Sequence, residues 1–277
     1  MLRERVADDI YVFTSELYAQ VMAGVIFTSQ GVVVIDTLLF PQETDELLHL
    51  VRRRSKNGVR YVINTHSHSD HVYGNYLFEG AKVIAHQLCR QALEKHGERD
   101  LDAAREQIPD LSEVQLRLPS VTFTKELTLR LGNKTLRLMH TPGTTLDSIV
   151  VHVREDKVLF AGDTVMPVPY IIDGDRLELM ESLRRIGKLS LDNIVQGHGG
   201  VILRGEVKGT LRSSIAYLEI IYEKVREKVE AGALRDELRE IGVERCGKSR
   251  IPLDGLVQDL HQANLMALYD QLISGEK

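Results

Sequence analysis

The segment Thr65–His71, THSHSDH, constrains this chain more than any other. It packs three histidines and one aspartate into six residues, directly after a short apolar run, Tyr61–Asn64, that reads as a buried strand. In an extended loop alternate side chains point the same way, so His66 and His68 can serve one ion. The chain then turns into a helix, where Asp70 and His71 can face a second ion. Neutral imidazole and carboxylate suit Zn²⁺, Mn²⁺, Fe or Co, with Zn²⁺ the commonest. By chance, HxHxDH arises on the order of once in a thousand chains of this composition. Four ligands cannot complete two metal sites, and three further residues at strand ends are available. His140 is followed by the rigid turn Thr-Pro-Gly, Asp163 sits in AGDT, and His198 sits in GHGG, where glycines allow close approach. His49, His86, His96, His152 and His261 have no partner motif and read as structural.

The surrounding pattern is α/β. Val21–Thr28 and Val32–Asp36 read as strands, Pro41–Lys56 as a helix with proline at its start, and Lys82–Ala85 as a strand. Helices are expected over Asp70–Phe78 and His86–Lys95, and an irregular stretch over residues 97–120. Leu127–Leu131 and Thr135–Met139 flank Gly132-Asn133 as a hairpin. Ser148–Val153 and Lys157–Phe160 are strands, Arg176–Leu189 a helix and Asn193–Val195 a strand. The halves repeat a unit: GVVVIDT (31–37) and KVLFAGDT (157–164) each end in Asp-Thr and lead through a helix to a strand ending at a histidine. The separations are 30 residues to His66 and 35 to His198. Such a duplication brings both aspartates and both histidines to equivalent sheet ends, where α/β proteins place ligands.

Residues 206–277 differ. Leu211, Ile215, Leu218, Ile221, Tyr222 and Val225 recur at helical spacing, and further helices are expected near Leu234–Ile241 and Leu256–Leu272. We divide the chain into a body, 1–205, and a helical extension, 206–277, that packs on it, caps the site or forms a homodimer. The basic run Arg245–Arg250 reads as a solvated loop. No run reaches the roughly 18 apolar residues of a membrane span. MLRERVADDI lacks the apolar stretch of a secretory signal, and two distant cysteines give no disulfide framework, so a cytoplasmic protein is expected. A net charge of −5 and 5% aromatic residues argue against a nucleic-acid surface.

The ordered set Asp36, THSHSDH, His140, Asp163 and His198 resembles the metallo-β-lactamase superfamily over residues from about 10 to 205. The resemblance implies an αββα sandwich, two mixed sheets face to face with helices outside. It implies two divalent metal ions: His66, His68 and His140 on the first, Asp70, His71 and His198 on the second, and Asp163 bridging. Asp36 would orient ligands from behind, and Asp70 would steer the attacking water and pass its proton to the leaving group. The implied activity is hydrolysis of a small ester, thioester, lactone or lactam. Three departures bear on the substrate. Asp163 stands where zinc β-lactamases usually carry Cys. Thr144 replaces the second His of the HTPGH run of glyoxalase II-like thioesterases. Met166 stands where lactonases of this type often carry Tyr, with Tyr170 nearby as a substrate contact. A mononuclear iron persulfide dioxygenase and a non-catalytic scaffold are the alternatives within the same superfamily.

Overall fold

Alternation decides the layers. Along Gly31–Ile35, Val33 and Ile35 face one way and Val32 and Val34 the other, and all four are buried. A strand apolar on both faces must be covered on both. The computed structural model, which describes residues 1–274, supplies that cover. Seven strands, β1 (Leu2–Ala7), β2 (Ile10–Thr14), β3 (Met22–Thr28), β4 (Gly31–Ile35), β5 (Val59–Ile63), β6 (Lys82–His86) and β7 (Val121–Phe123), form one sheet in chain order. It is antiparallel from β1 to β4 and parallel from β4 to β7. Six strands, β8 (Glu126–Leu131), β9 (Lys134–His140), β10 (Ile149–Val153), β11 (Val158–Phe160), β12 (Asn193–Val195) and β13 (Val201–Leu203), form the second, in the order β13-β12-β11-β10-β9-β8. Only β11 and β12 are parallel there.

The sheets meet over a core that includes Ile26, Val33, Ile35, Ile63 and Ile84 from the first and Leu136, Leu138, Val151, Val158 and Phe160 from the second. Outside the first sheet, α1 (Pro41–Arg54) buries Leu47, Leu48 and Val51 against Val25, Val34 and Val62. Outside the second, α5 (Arg176–Ile186) buries Leu179 and Leu183 with Val150, Leu159 and Ile194. The architecture is therefore the αββα sandwich. The two expected strand–helix–strand units are β4–α1–β5 and β11–α5–β12, and in each the strands pair in parallel.

Several segments differ from the sequence expectation. The helix expected over Asp70–Phe78 is a single turn, α2 (Ser69–Val72), continued by a 3₁₀ segment, Tyr73–Leu77. That expected over His86–Lys95 is α3 (Gln87–Ala92), which widens into a π turn at Leu93–Gly97. Within 97–120 lies a regular helix, α4 (Glu98–Gln107). Its only buried residue is Leu101, so it carries almost no apolar period, and Glu98 and Asp100 at its start with Arg105 near its end suit the helix dipole instead. The edge strand β1 has no apolar alternation, because Leu2–Arg5 are exposed and three of them are charged, whereas β2, which pairs with it, is buried throughout.

The extension is built from α6 (Val207–Glu230) and α7 (Leu256–Ser274), with 3₁₀ turns between them where a helix near Leu234–Ile241 was expected. Leu211, Leu218, Ile221, Leu265 and Leu268 share one core with Leu179, Met180 and Ile194 of the body. Among the described residues, no helix is long and apolar enough to cross a membrane.

Candidate metal centre

The end of β4 positions the site from behind. Asp36 sits in the left-handed region, φ 57°, and is buried. Its Oδ1 accepts the Thr65 backbone N–H at 2.8 Å, and its Oδ2 accepts the Thr65 hydroxyl at 2.7 Å and faces His71 Nδ1 at 2.9 Å. These bonds fix tautomers. A carboxylate only accepts, so His71 carries a proton on Nδ1, which leaves Nε2 as the nitrogen that can ligate. The Thr65 hydroxyl spends its proton on Asp36, so its oxygen accepts from His66 Nδ1 at 3.1 Å, which again frees Nε2. His198 Nδ1 donates to the Ala19 carbonyl at 2.9 Å with the same result. Metal-bound imidazoles are held this way, by a partner on the far nitrogen.

The freed atoms converge. His66 and Asp163 reach one another at 3.4 Å (Nε2 to Oδ2), and His68 Nδ1 lies 4.0 Å from the same oxygen. Asp163 Oδ1 lies 3.4 Å from His71 Nε2 and 3.5 Å from His198 Nε2. Asp70 Oδ2 is 3.7 Å from His71 Nε2 and 3.3 Å from His198 Nε2. The donors thus form two groups, His66–His68–Asp163 and Asp70–His71–His198, with the two oxygens of Asp163 divided between them. Ligand bonds of 2.0–2.1 Å in a tetrahedron set donors about 3.3 Å apart, the spacing most of these pairs show. His66 Nε2, His71 Nε2 and Asp163 Oδ1 are buried with no hydrogen-bond partner. Buried polar atoms are normally paired, so three such atoms aimed at common points fit a site that holds a cation. Burial pushes the His66 imidazole down toward its neutral, ligating form, whereas at His71 burial is outweighed by Asp70, Asp36 and Asp163, which raise that imidazole well above its usual value. Burial alone would raise Asp163, but His66, His198 and His71 outweigh it and hold the carboxyl well below its usual range.

Glycines make the approach possible. A Cβ at Gly197 would lie 2.0 Å from Asp163 Oδ1, and one at Gly162, φ 48°, would lie 2.7 Å from the Thr65 Cβ.

Six of the expected ligands, His66, His68, Asp70, His71, Asp163 and His198, therefore meet, and Asp36 stands behind them. His140 does not join them. Its Nε2 bonds the Leu146 carbonyl at 2.8 Å and its ring stacks on His86, 4.0 Å between centroids. Leu136 and Leu138 point between the sheets, and His140, two residues on, takes the same side toward the end of β6 instead of the cleft. Thr144 is no substitute, since its hydroxyl pairs with Ser148. The first group thus has two imidazoles.

Tyr170 does reach the site. Its hydroxyl donates to Asp173 Oδ2 at 2.6 Å, its ring meets His68 edge-on, and burial followed by that bond raises its pKa strongly. Asp173, unsuspected from sequence, lies 3.4 Å from His68 Nε2, the nitrogen turned away from Asp163. A parallel bridge between Thr145 and Asp173 puts it there, a contact with no local signal. Two cavities open on the donors. One, of about 350 Å³, is lined by Tyr18, His68, Asp70, Asp163, Met166, Tyr170, His198 and residues of α7. The other, of about 640 Å³, runs past His68 and Asp70 toward α4. Cys89 is buried and burial pushes its thiol well up, so it is not a poised nucleophile.

Comparison with known proteins agrees with this geometry. The model of the metallo-beta-lactamase superfamily matches residues 19–198. The chain is 32% identical to a beta-lactamase-like protein 2 homolog of Drosophila melanogaster, over 55% of this chain and 49% of that protein. It is 29% identical to the human acyl-coenzyme A thioesterase MBLAC2, over 61% of this chain and 70% of that protein. The chain spans about half the length of the fly and Caenorhabditis elegans relatives it matches. The sec-alkylsulfatase Pisa1 from Pseudomonas sp. shares the fold over 99% of this chain and 50% of its own, with a TM-score of 0.76 and 17% identity.

Proposed function

The chain belongs to the metallo-β-lactamase superfamily, and from that premise we propose that it is a metal-dependent hydrolase of a small ester, thioester, lactone or lactam. The observation that carries this reading is the trio of buried, unpartnered atoms, His66 Nε2, His71 Nε2 and Asp163 Oδ1. His66, His68 and Asp163 would hold one divalent cation, and Asp70, His71, His198 and the other oxygen of Asp163 a second. When bound, such ions polarise a scissile carbonyl and bring the pKa of water toward 7. The protein's own groups do the rest. Asp70 turns Oδ2 to His71 and His198, which leaves Oδ1 to accept a proton from the attacking water and return it to the leaving group. Tyr170 spends its hydroxyl on Asp173 and so steadies the carboxylate behind His68, while its ring edges the cavity.

A second reading has a specific basis. His66, His68 and Asp163 are two imidazoles and one carboxylate, the ligand set of mononuclear iron oxygenases. The persulfide dioxygenase alternative rests on it. The second group, with its own buried and oriented donors, favours the dinuclear hydrolase.

Elemental analysis of protein purified without chelator or added metal separates the two. About two zinc or manganese ions per chain are expected, with ester or lactone hydrolysis lost to chelation and restored by metal. One iron per chain, with oxygen uptake on a persulfide, would overturn the hydrolase. In Asp70→Asn, turnover should fall far more than affinity at the His66–His68 position.

A further inference from the structure

Resting on the hydrolase reading, we propose that the substrate joins an aliphatic acyl chain to an uncharged leaving group, and that the cleft rejects polyanionic thioesters. The extension supplies the acyl wall. Leu256, Leu260 and Ala263 fall at i, i+4 and i+7 along α7, one helical face, and line the 350 Å³ cavity together with Leu253, Met166 and the donors His68, Asp70, Asp163 and His198. Leu256 is an exposed leucine, 41% accessible, whose side chain borders the cavity. This wall is fixed. Asn264 of α7 donates to the Pro169 carbonyl at 2.6 Å, accepts the Ile171 N–H at 3.1 Å, and reaches Tyr217 of α6. The volume lies within the range of small-ligand sites.

The charges oppose an anion. Asp70, Asp163 and Asp259 line this cavity, and Asp70, Asp100, Asp147 and Asp173 line its 640 Å³ neighbour. Among the described residues, no Lys or Arg lines either one. Six carboxylates exceed the four positive charges of two divalent cations. The basic run Arg245–Arg250 gives no help. Lys248 Nζ bonds Ser214 and borders a different cavity, and Arg250 pairs with Glu244. Phosphates in the cleft would meet these carboxylates with no Lys or Arg of the lining to pair with.

The test uses the full metal-loaded chain and two octanoyl thioesters of equal reactivity, one of N-acetylcysteamine and one of coenzyme A. The neutral thioester should show about tenfold or more higher kcat/KM at low salt, with the gap narrowing as salt rises. Asp259→Lys should narrow it too, and Leu256→Asp should lower the octanoyl-to-acetyl ratio on the neutral carrier. Equal or faster turnover of the coenzyme A thioester, or an unchanged chain-length ratio, overturns the proposal. If neither thioester is cleaved, the thioesterase form of the hydrolase reading fails by itself. Calorimetry with the uncleavable S-octyl thioethers of the same two carriers then decides: tighter binding of the neutral one upholds the assignment, and equal or tighter binding of the coenzyme A ether ends it.

Discussion

Asp36→Asn isolates what the residue behind the metal centre contributes. Asn tolerates the left-handed backbone that Asp36 adopts at φ 57°, so the substitution changes the charge and one acceptor and leaves the chain path alone. The amide nitrogen must replace either Oδ1, which faces the Thr65 N–H, or Oδ2, which faces the Thr65 hydroxyl and His71 Nδ1. Either choice sets donor against donor. Relief at Oδ2 requires His71 to move its proton from Nδ1 to Nε2, which blocks the atom that points at Asp70 and Asp163. Loss of such a supporting partner typically weakens metal binding about 10–100-fold, or about 1.4–2.7 kcal/mol. That loss should fall most heavily on the Asp70–His71–His198 position, with a smaller loss reaching His66 through the Thr65 hydroxyl. Zinc titration of the apo-protein against a chromophoric chelator reads both dissociation constants. Combined with His198→Ala the effect should be strongly non-additive, and with His68→Ala closer to additive. Two constants within twofold of the parent, or weakening confined to the His68 position, would refute the tautomer argument.

Three other outcomes follow from particular contacts. His140→Ala should leave metal stoichiometry unchanged and cost only stability, because the imidazole is engaged by Leu146 and His86; a drop in bound metal would put it back among the ligands. Gly197→Ala should displace Asp163, since the new methyl would stand 2.0 Å from Oδ1; bound metal should fall and stability drop by about 1–3 kcal/mol, and full metal content would contradict the packing. Burial lowers the Lys248 amine to about 8 from its usual 10.5. Between those values the unfolded chain binds the proton that the folded one has released, so stability rises with pH across that window, by up to about 3 kcal/mol. Urea melts of Lys248→Met from pH 7.5 to 10.5 should show greater stability at the low end and lose the rise; a retained slope would place its origin elsewhere.

What could be read from the sequence was local chemistry or local period. THSHSDH announces itself because alternation in a loop and a helix start bring four donors to two points. Asp163 and His198 were legible because β11–α5–β12 repeats β4–α1–β5, and a repeated unit carries strand ends to the same edge of each sheet. The equivalence is positional only: Asp36 turns to Thr65 and His71 from behind, whereas Asp163 divides its oxygens between both donor groups. His140 ends β9 on the face of Leu136 and Leu138, and here its ring turns to Leu146 and His86 while the other donors converge. Asp173 had no such signal. It meets His68 across 105 residues through one bridge to Thr145, a contact that neither segment's own sequence encodes. The extension shows the same limit from the other side. Periodicity identifies the apolar stripes of α6 and α7 but not what they cover, and α7 spends one stripe on the core through Leu265 and Leu268 while Leu256, Leu260 and Ala263 face the cavity. The residues proposed to set specificity therefore lie on a helix whose pattern reads as packing, and its docking by Asn264 against Pro169 and Ile171 holds it beside the donors.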